Sequence, residues 1–149
     1  EYDMDISVEI KKLRPEAQLP TRGSQQAAGY DLHACLSSDL AIAPGATVLV
    51  GTGLAFALPQ GYFGGVFARS GLSVKQGLRP ANCVGVIDSD YRGECMVALH
   101  NDSAETRTVC HGDRIAQLVV LPYLPVNFCE VDELDATQRG QGGFGSTGR

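Results

Sequence analysis

A chain of 149 residues with 44% hydrophobic and 19% charged residues is one ordinary globular domain, and its net charge of -5 speaks against a general nucleic-acid or membrane-surface binder. Five Cys, odd in number and without a C-x-x-C pair, and three His without ligand spacing fit neither a zinc site nor a disulfide framework. No apolar run reaches membrane length and no segment reads as a signal peptide, so the expectation is reduced thiols in a cytoplasmic compartment.

Ile6 to Ile10 alternates with period two, as a half-buried strand does. Lys11 to Gln26, with Pro15, Pro20 and Gly23, reads as an extended connection, and Ala27 to Leu32 opens the next ordered piece. Pro44-Gly45 marks a turn before two strands, Thr47 to Val50 and Leu54 to Leu58, separated by Gly51 and Gly53. Pro59-Gln60-Gly61 turns the chain into Tyr62 to Ala68. After Arg69-Ser70-Gly71, the segment Leu72 to Gln76 predicts one or two helical turns that Gly77 ends.

Val84 to Ile87 and Glu94 to Leu99 read as the arms of a β-hairpin with Asp88-Ser89-Asp90 at its turn and Tyr91 beside it. Thr106 to Val109, Ile115 to Leu121 and Asn127 to Val131 complete the strands. Short turn-bounded strands with at most one short helix predict an all-β fold, a jelly-roll-like distorted β-barrel over residues 1–138. Residues 139–149, RGQGGFGSTGR, hold five Gly and one aromatic and cannot bury a core; they predict a flexible Gly-rich C-terminal arm.

Several stretches bear two readings. Asp88 on a rigid strand end is placed for a general base, yet Asp-Ser-Asp is also the composition of a solvated turn. Arg69-Ser70-Gly71 offers a guanidinium, a hydroxyl and close backbone approach to an anion, or forms a plain helix cap. Gln117 in the apolar run Ile115 to Leu121 is an edge-facing polar residue or a positioned amide. Gly140 to Gly145 matches G-x-G-x-x-G, but the dinucleotide fingerprint needs a following helix and only four residues remain. Phe144, a lone ring among glycines, turns that tail from a mere linker into an arm able to close over a base.

Together these segments resemble the trimeric deoxyuridine triphosphate nucleotidohydrolases (dUTPases). AGYDL at 28–32, ARSGLS at 68–73, GVIDSDYRGE at 85–94, GDRIAQL at 112–118 and RGQGGFGSTG at 139–148 are similar to that family's five motifs, in order. Ala68 departs from the Pro that many members carry there, which alters the stiffness of the turn.

The resemblance implies Mg2+-dependent hydrolysis of dUTP to dUMP and pyrophosphate, which limits uracil incorporation into DNA and supplies dUMP for dTTP synthesis. Asp88 matches the carboxylate that orients and deprotonates the attacking water, and Gln117 the amide beside it. Arg69, Ser70 and Gly71 match the phosphate-binding segment; Arg139, Gly145 and Ser146 match the arm's grip on the phosphates. Asn82, Val86, Ile87 and Met96 match the uracil pocket, Tyr91 the ring under the deoxyribose, and Phe144 the ring that covers the base. Asp31 matches the residue that reaches magnesium through water, the ion being held mainly by the triphosphate. The implied assembly is a homotrimer with active sites shared among subunits. The rival enzyme on this fold, dCTP deaminase, uses a Glu base and lacks the Asp-centred motif; a regulatory binding module on a retired scaffold would not need Asp88, Arg69 and Phe144.

Overall fold

The computed structural model describes residues 5–146 and 148. In chain order the elements are β1 (Glu9–Lys12), β2 (Thr21–Arg22), β3 (Tyr30–His33), β4 (Leu40–Ile42), β5 (Thr47–Gly51), β6 (Leu54–Ala57), β7 (Tyr62–Phe67), α1 (Ser70–Gln76), β8 (Leu78–Pro80), β9 (Val84–Ile87), β10 (Met96–Asn101), β11 (Arg107–Val109) and β12 (Arg114–Pro122). The fold is all-β with one short helix, as the sequence predicts. Among the described residues, no helix is long and apolar enough to cross a membrane.

The alternation that makes these strands also sorts their faces. On β10, Val97, Leu99 and Asn101 point inward while Met96 faces out. Leu32, Ile42, Val50, Leu54, Leu99 and Ile115 form the centre of one core. Asn101 is buried there without cost, because its amide donates to the carbonyls of Ile42 and Glu105 and its Oδ1 accepts from Ser103.

All strand pairs are antiparallel. The largest sheet runs β2-β3-β12-β7-β9, and a second runs β5-β10-β8. The nine-residue β12 is the spine of the first: Gln117 stands opposite Asp31 on β3 and Phe67 on β7. α1 begins at Ser70, two residues earlier than Leu72, and ends at Gly77 in the left-handed conformation, whose N–H closes the last turn.

Three expectations need correction. β1 starts at Glu9 and not Ile6, because its partner β6 offers only Leu54–Ala57 to pair with. Val84–Ile87 and Met96–Asn101 do not form a hairpin. β9 pairs with β7 in one sheet and β10 with β5 and β8 in another, so the loop between them crosses from sheet to sheet. Asn127 to Val131 is not a strand: past Pro122 the chain is irregular and exposed, with Phe128 92% and Leu134 86% accessible, and no strand pairs with it among the described residues.

Candidate active site

The predicted site residues gather in two places and a tail. The first place is the cleft opened by the sheet-to-sheet crossing, about 400 Å³, lined by Asn82, Val86, Ile87, Asp88, Tyr91 and Met96 among others. β9 forms one wall. Its inner residues Gly85 and Ile87 are buried while Val86 is 62% exposed. One edge of β9 pairs with β7; the other carries no strand among the described residues, so its main-chain groups are open to a ligand. Gly85 keeps room for Asn82, whose Nδ2 would stand 3.3 Å from a Cβ at that position.

Met96 opens β10 on the opposite wall, half-exposed. Tyr91 folds back over Gly93 and its hydroxyl donates to the carbonyl of Glu94 at 2.9 Å; a Cβ on residue 93 would come within 2.5 Å of that hydroxyl. The tight turn is closed by Tyr91 N–H donating to the Asp88 carbonyl at 3.1 Å and by Arg92 donating to the Ser89 carbonyl at 2.6 Å. Asp88 itself is exposed at the rim. Glu94 accepts from both terminal nitrogens of the Arg14 guanidinium, Nη1 and Nη2, at 2.9 and 3.0 Å, and that cation holds its carboxyl below the usual carboxylate range.

The second place surrounds the middle of β12. Arg69, the N-cap of α1, donates through Nε to Asp31 Oδ1 at 3.0 Å and through Nη1 to the Arg114 carbonyl at 3.3 Å. Arg114 Nη1 lies 3.8 Å from Asp31 Oδ2. Gln117 donates from Nε2 to the Ala68 carbonyl at 2.9 Å, so it is a positioned amide and not an idle polar residue. Ser70 and Gly71 are exposed in the first turn of α1, which has no side-chain cap. Arg69 and Arg114 also line a small recess of about 190 Å³. Arg114, the first residue of β12, belongs to this cluster; its place just after Gly112-Asp113 marks it as a placed cation suited to an anion site, but the sequence assigned it no specific role.

The third group is the arm. Arg139 Nε donates to the Gly142 carbonyl at 2.7 Å, and Ser146 N–H donates to the Gly143 carbonyl at 3.0 Å. Phe144 sits at φ 51 and Gly145 at φ 80, with the Phe144 ring fully exposed. These hydrogen bonds stay within the arm. Thr147 and Arg149, which complete the predicted arm, lie outside the described residues.

The first two places do not meet within one chain. Ile87 pairs with Gly64 while Gln117 pairs with Phe67. At about 3.3 Å per residue and about 4.8 Å between strands, the Asp88 and Gln117 backbones are roughly 16 Å apart across two strand spacings.

The dUTPase family model matches residues 15–148. The chain belongs to the dUTPase family. It is 52% identical over 146 residues to the deoxyuridine 5'-triphosphate nucleotidohydrolase of Desulfitobacterium hafniense, covering 96% of this chain and 97% of that protein. It is 52% identical over 130 residues to the protein of the same name from Desulfotalea psychrophila, covering 87% of each. Among solved structures, a mutant dUTPase of Staphylococcus bacteriophage 80alpha with dUpNHpp superposes with a TM-score of 0.88 at 26% identity, covering 96% of this chain and 99% of that one.

Proposed function

We propose that this chain hydrolyses dUTP to dUMP and pyrophosphate, the reaction of the family to which it belongs, and that Asp88 is its general base. The observation that carries the assignment of residues is the cleft between β9 and β10. It joins an unpaired strand edge, a ring with a fixed hydroxyl and an exposed carboxylate in one small space.

Uracil pairs with the free main-chain edge at Val86 and Ile87 and with the amide of Asn82, with Met96 as the opposite wall. Cytosine's amino group mismatches that edge, and thymine's methyl finds no room; unmade hydrogen bonds in a dry pocket cost factors of about 10⁴. Tyr91, held by the Glu94 carbonyl, packs under the deoxyribose where a 2′-hydroxyl would collide. Asp88 accepts a proton from a water as that water's oxygen bonds to the α-phosphorus. The bond from the α-phosphorus to its bridging oxygen breaks, and pyrophosphate leaves with that oxygen. A carboxylate is a weak base, so positioning and neutralisation of phosphate charge supply much of the acceleration.

Gln117 orients the water and the α-phosphate, and Arg69, Ser70 and Gly71 bind the phosphates. Arg139, Gly145 and Ser146 grip the outer phosphates while Phe144 covers the base. Asp31 suits a water-mediated hold on Mg2+: among the described residues its Oδ2 has only the 3.8 Å approach of Arg114, which leaves a lone pair for a metal-bound water. The ion, bound mainly by the triphosphate, supplies charge neutralisation.

Since Asp88 and Gln117 are too far apart in one chain, the site is assembled from copies, and a homotrimer with shared sites is the arrangement we propose. Residues 1–138 form the body and 139–149 the arm that closes over a site. Pyrophosphate release with dUTP, UTP, dCTP and dTTP tests the pocket. Turnover of dUTP alone is expected, and comparable rates on all four contradict it.

A further inference from the structure

We infer that Arg14 is a positioning residue for the deoxyribose pocket, acting through Glu94 on Tyr91 and Met96. The inference rests on the reading of Tyr91 as the ring under the sugar. Arg14 lies in the turn after β1, one residue before the stretch matched by the family model, and 80 positions from its partner. That turn is anchored by Leu13 N–H to the Gly53 carbonyl at 2.7 Å and Ala17 N–H to the Arg14 carbonyl at 3.1 Å.

The pair is built in from three sides. Both terminal guanidinium nitrogens, Nη1 and Nη2, meet the two Glu94 oxygens, a geometry that fixes angle as well as distance. Glu94 Oε2 also lies 3.4 Å from the Gly53 N–H. Gly51 has no room for a side chain, because a Cβ there would collide with Glu94 Oε2 and stand 3.1 Å from Arg14 Nη2. Gly51 is in turn the register partner of Met96, a wall of the pocket.

The consequence runs along the backbone of Glu94. Its carbonyl is the acceptor for the Tyr91 hydroxyl, and the next residue is pinned by Cys95 N–H to the Leu54 carbonyl and by Thr52 to the Cys95 carbonyl. The Glu94 side chain is 19% exposed; with Arg14 removed, it keeps only the long contact to Gly53 and turns toward water. With the Cys95 N–H held, the Glu94 end of that peptide is the part free to move, so the carbonyl tilts and the ring that selects against a 2′-hydroxyl is held less firmly.

The test compares kcat and KM for dUTP and UTP in the full chain, for wild type, Arg14→Met, Arg14→Lys, Gly51→Ala and Tyr91→Ala, with urea unfolding alongside. Arg14→Met is expected to lower the preference for dUTP over UTP by about tenfold to a hundredfold, the scale of an ångström's misplacement, mainly through KM. Arg14→Lys restores part of it, since one charge remains but the fork does not. Gly51→Ala keeps both charges, displaces the pair and gives the same loss, which serves where Arg14→Met compromises folding. Measured beside Tyr91→Phe alone, the combination of Arg14→Met with Tyr91→Phe costs no more than the worse single change, because both act through the Glu94 carbonyl; fully additive losses overturn the inference. An intact preference in both Arg14→Met and Gly51→Ala, beside a loss in Tyr91→Ala, overturns this inference alone. An intact preference in Tyr91→Ala as well overturns the pocket reading beneath it.

Discussion

Gly29 leaves the space that the Gln117 amide fills. Gln117 Oε1 lies where a Cβ at residue 29 would stand, while its Nε2 donates to the Ala68 carbonyl at 2.9 Å. The glycine of the AGYDL stretch is thus a spacer for an amide 88 positions along the chain, fixing which way that amide points into the cluster of Arg69, Asp31 and Arg114.

Gly29→Ala follows directly. The colliding atom is the end of a flexible side chain, so the fold yields easily, and the loss of one hydrogen bond costs only about 1 kcal/mol. In the role proposed for Gln117, the displaced amide would no longer address the α-phosphate, and kcat for dUTP is expected to fall about 10²-fold. Thermal unfolding and steady-state kinetics on the same preparation read the split. A large drop in melting temperature with unchanged kcat contradicts it.

Removing residues 139–149 separates the arm from the body. Among the described residues the arm's one side-chain tie to the body is Gly140 N–H donating to the exposed Thr137 Oγ1 at 3.1 Å, and the Phe144 ring is fully exposed, so the melting temperature of the body should hold. Turnover should collapse. Phe144→Ala alone should raise KM for dUTP about tenfold, within the roughly 1–3 kcal/mol of a base–aromatic stack. Full activity in the truncated protein contradicts the closing role.

The Arg14–Glu94 pair also sets a pH dependence. The folded carboxyl is held below its ordinary value of 4.5, first by the hydrogen bonds from Arg14. Its stabilising contribution is therefore present above the unfolded value and is lost as pH falls through the depressed folded one. Arg14→Met should lose less than about 1 kcal/mol at pH 7, given the exposure of the arginine, and the gap to wild type should close on acidification. Urea titrations from pH 7 down to the acid limit measure the gap; a gap that widens toward acid contradicts the assignment.

What the sequence made legible was chemistry carried by contiguous residues. Ile115 to Leu121 reads as a strand because a short apolar, β-prone run is a local signal, and it is most of β12. Arg69, Gln117 and Asp31 were named from their motifs, and they share one cluster because β12 lies between β3 and β7. What depended on partners far along the chain was not legible. Val84 to Ile87 and Glu94 to Leu99 look like a hairpin because they are close in sequence. The register partners that claim them are Gly64 to Phe67 for β9, Thr47 to Gly51 and Leu78 to Pro80 for β10. Arg14 looked like part of a plain connection for the same reason. Asn127 to Val131 has apolar, β-prone residues like a strand's, but composition supplies no partner edge, and among the described residues none takes it up.

The central claim is that Asp88 of one copy and Gln117 of another complete a single site. Subunit mixing tests it most directly. Asp88→Asn should lose about 10²- to 10⁴-fold in kcat, as removal of a general base does, and Gln117→Ala should also be crippled, each alone. Coexpressed or unfolded and reassembled together, the two variants should regain dUTP hydrolysis, because mixed assemblies contain sites with an intact Asp88 from one subunit and an intact Gln117 from its neighbour. Mixed assemblies that stay as inactive as the separate variants would contradict it.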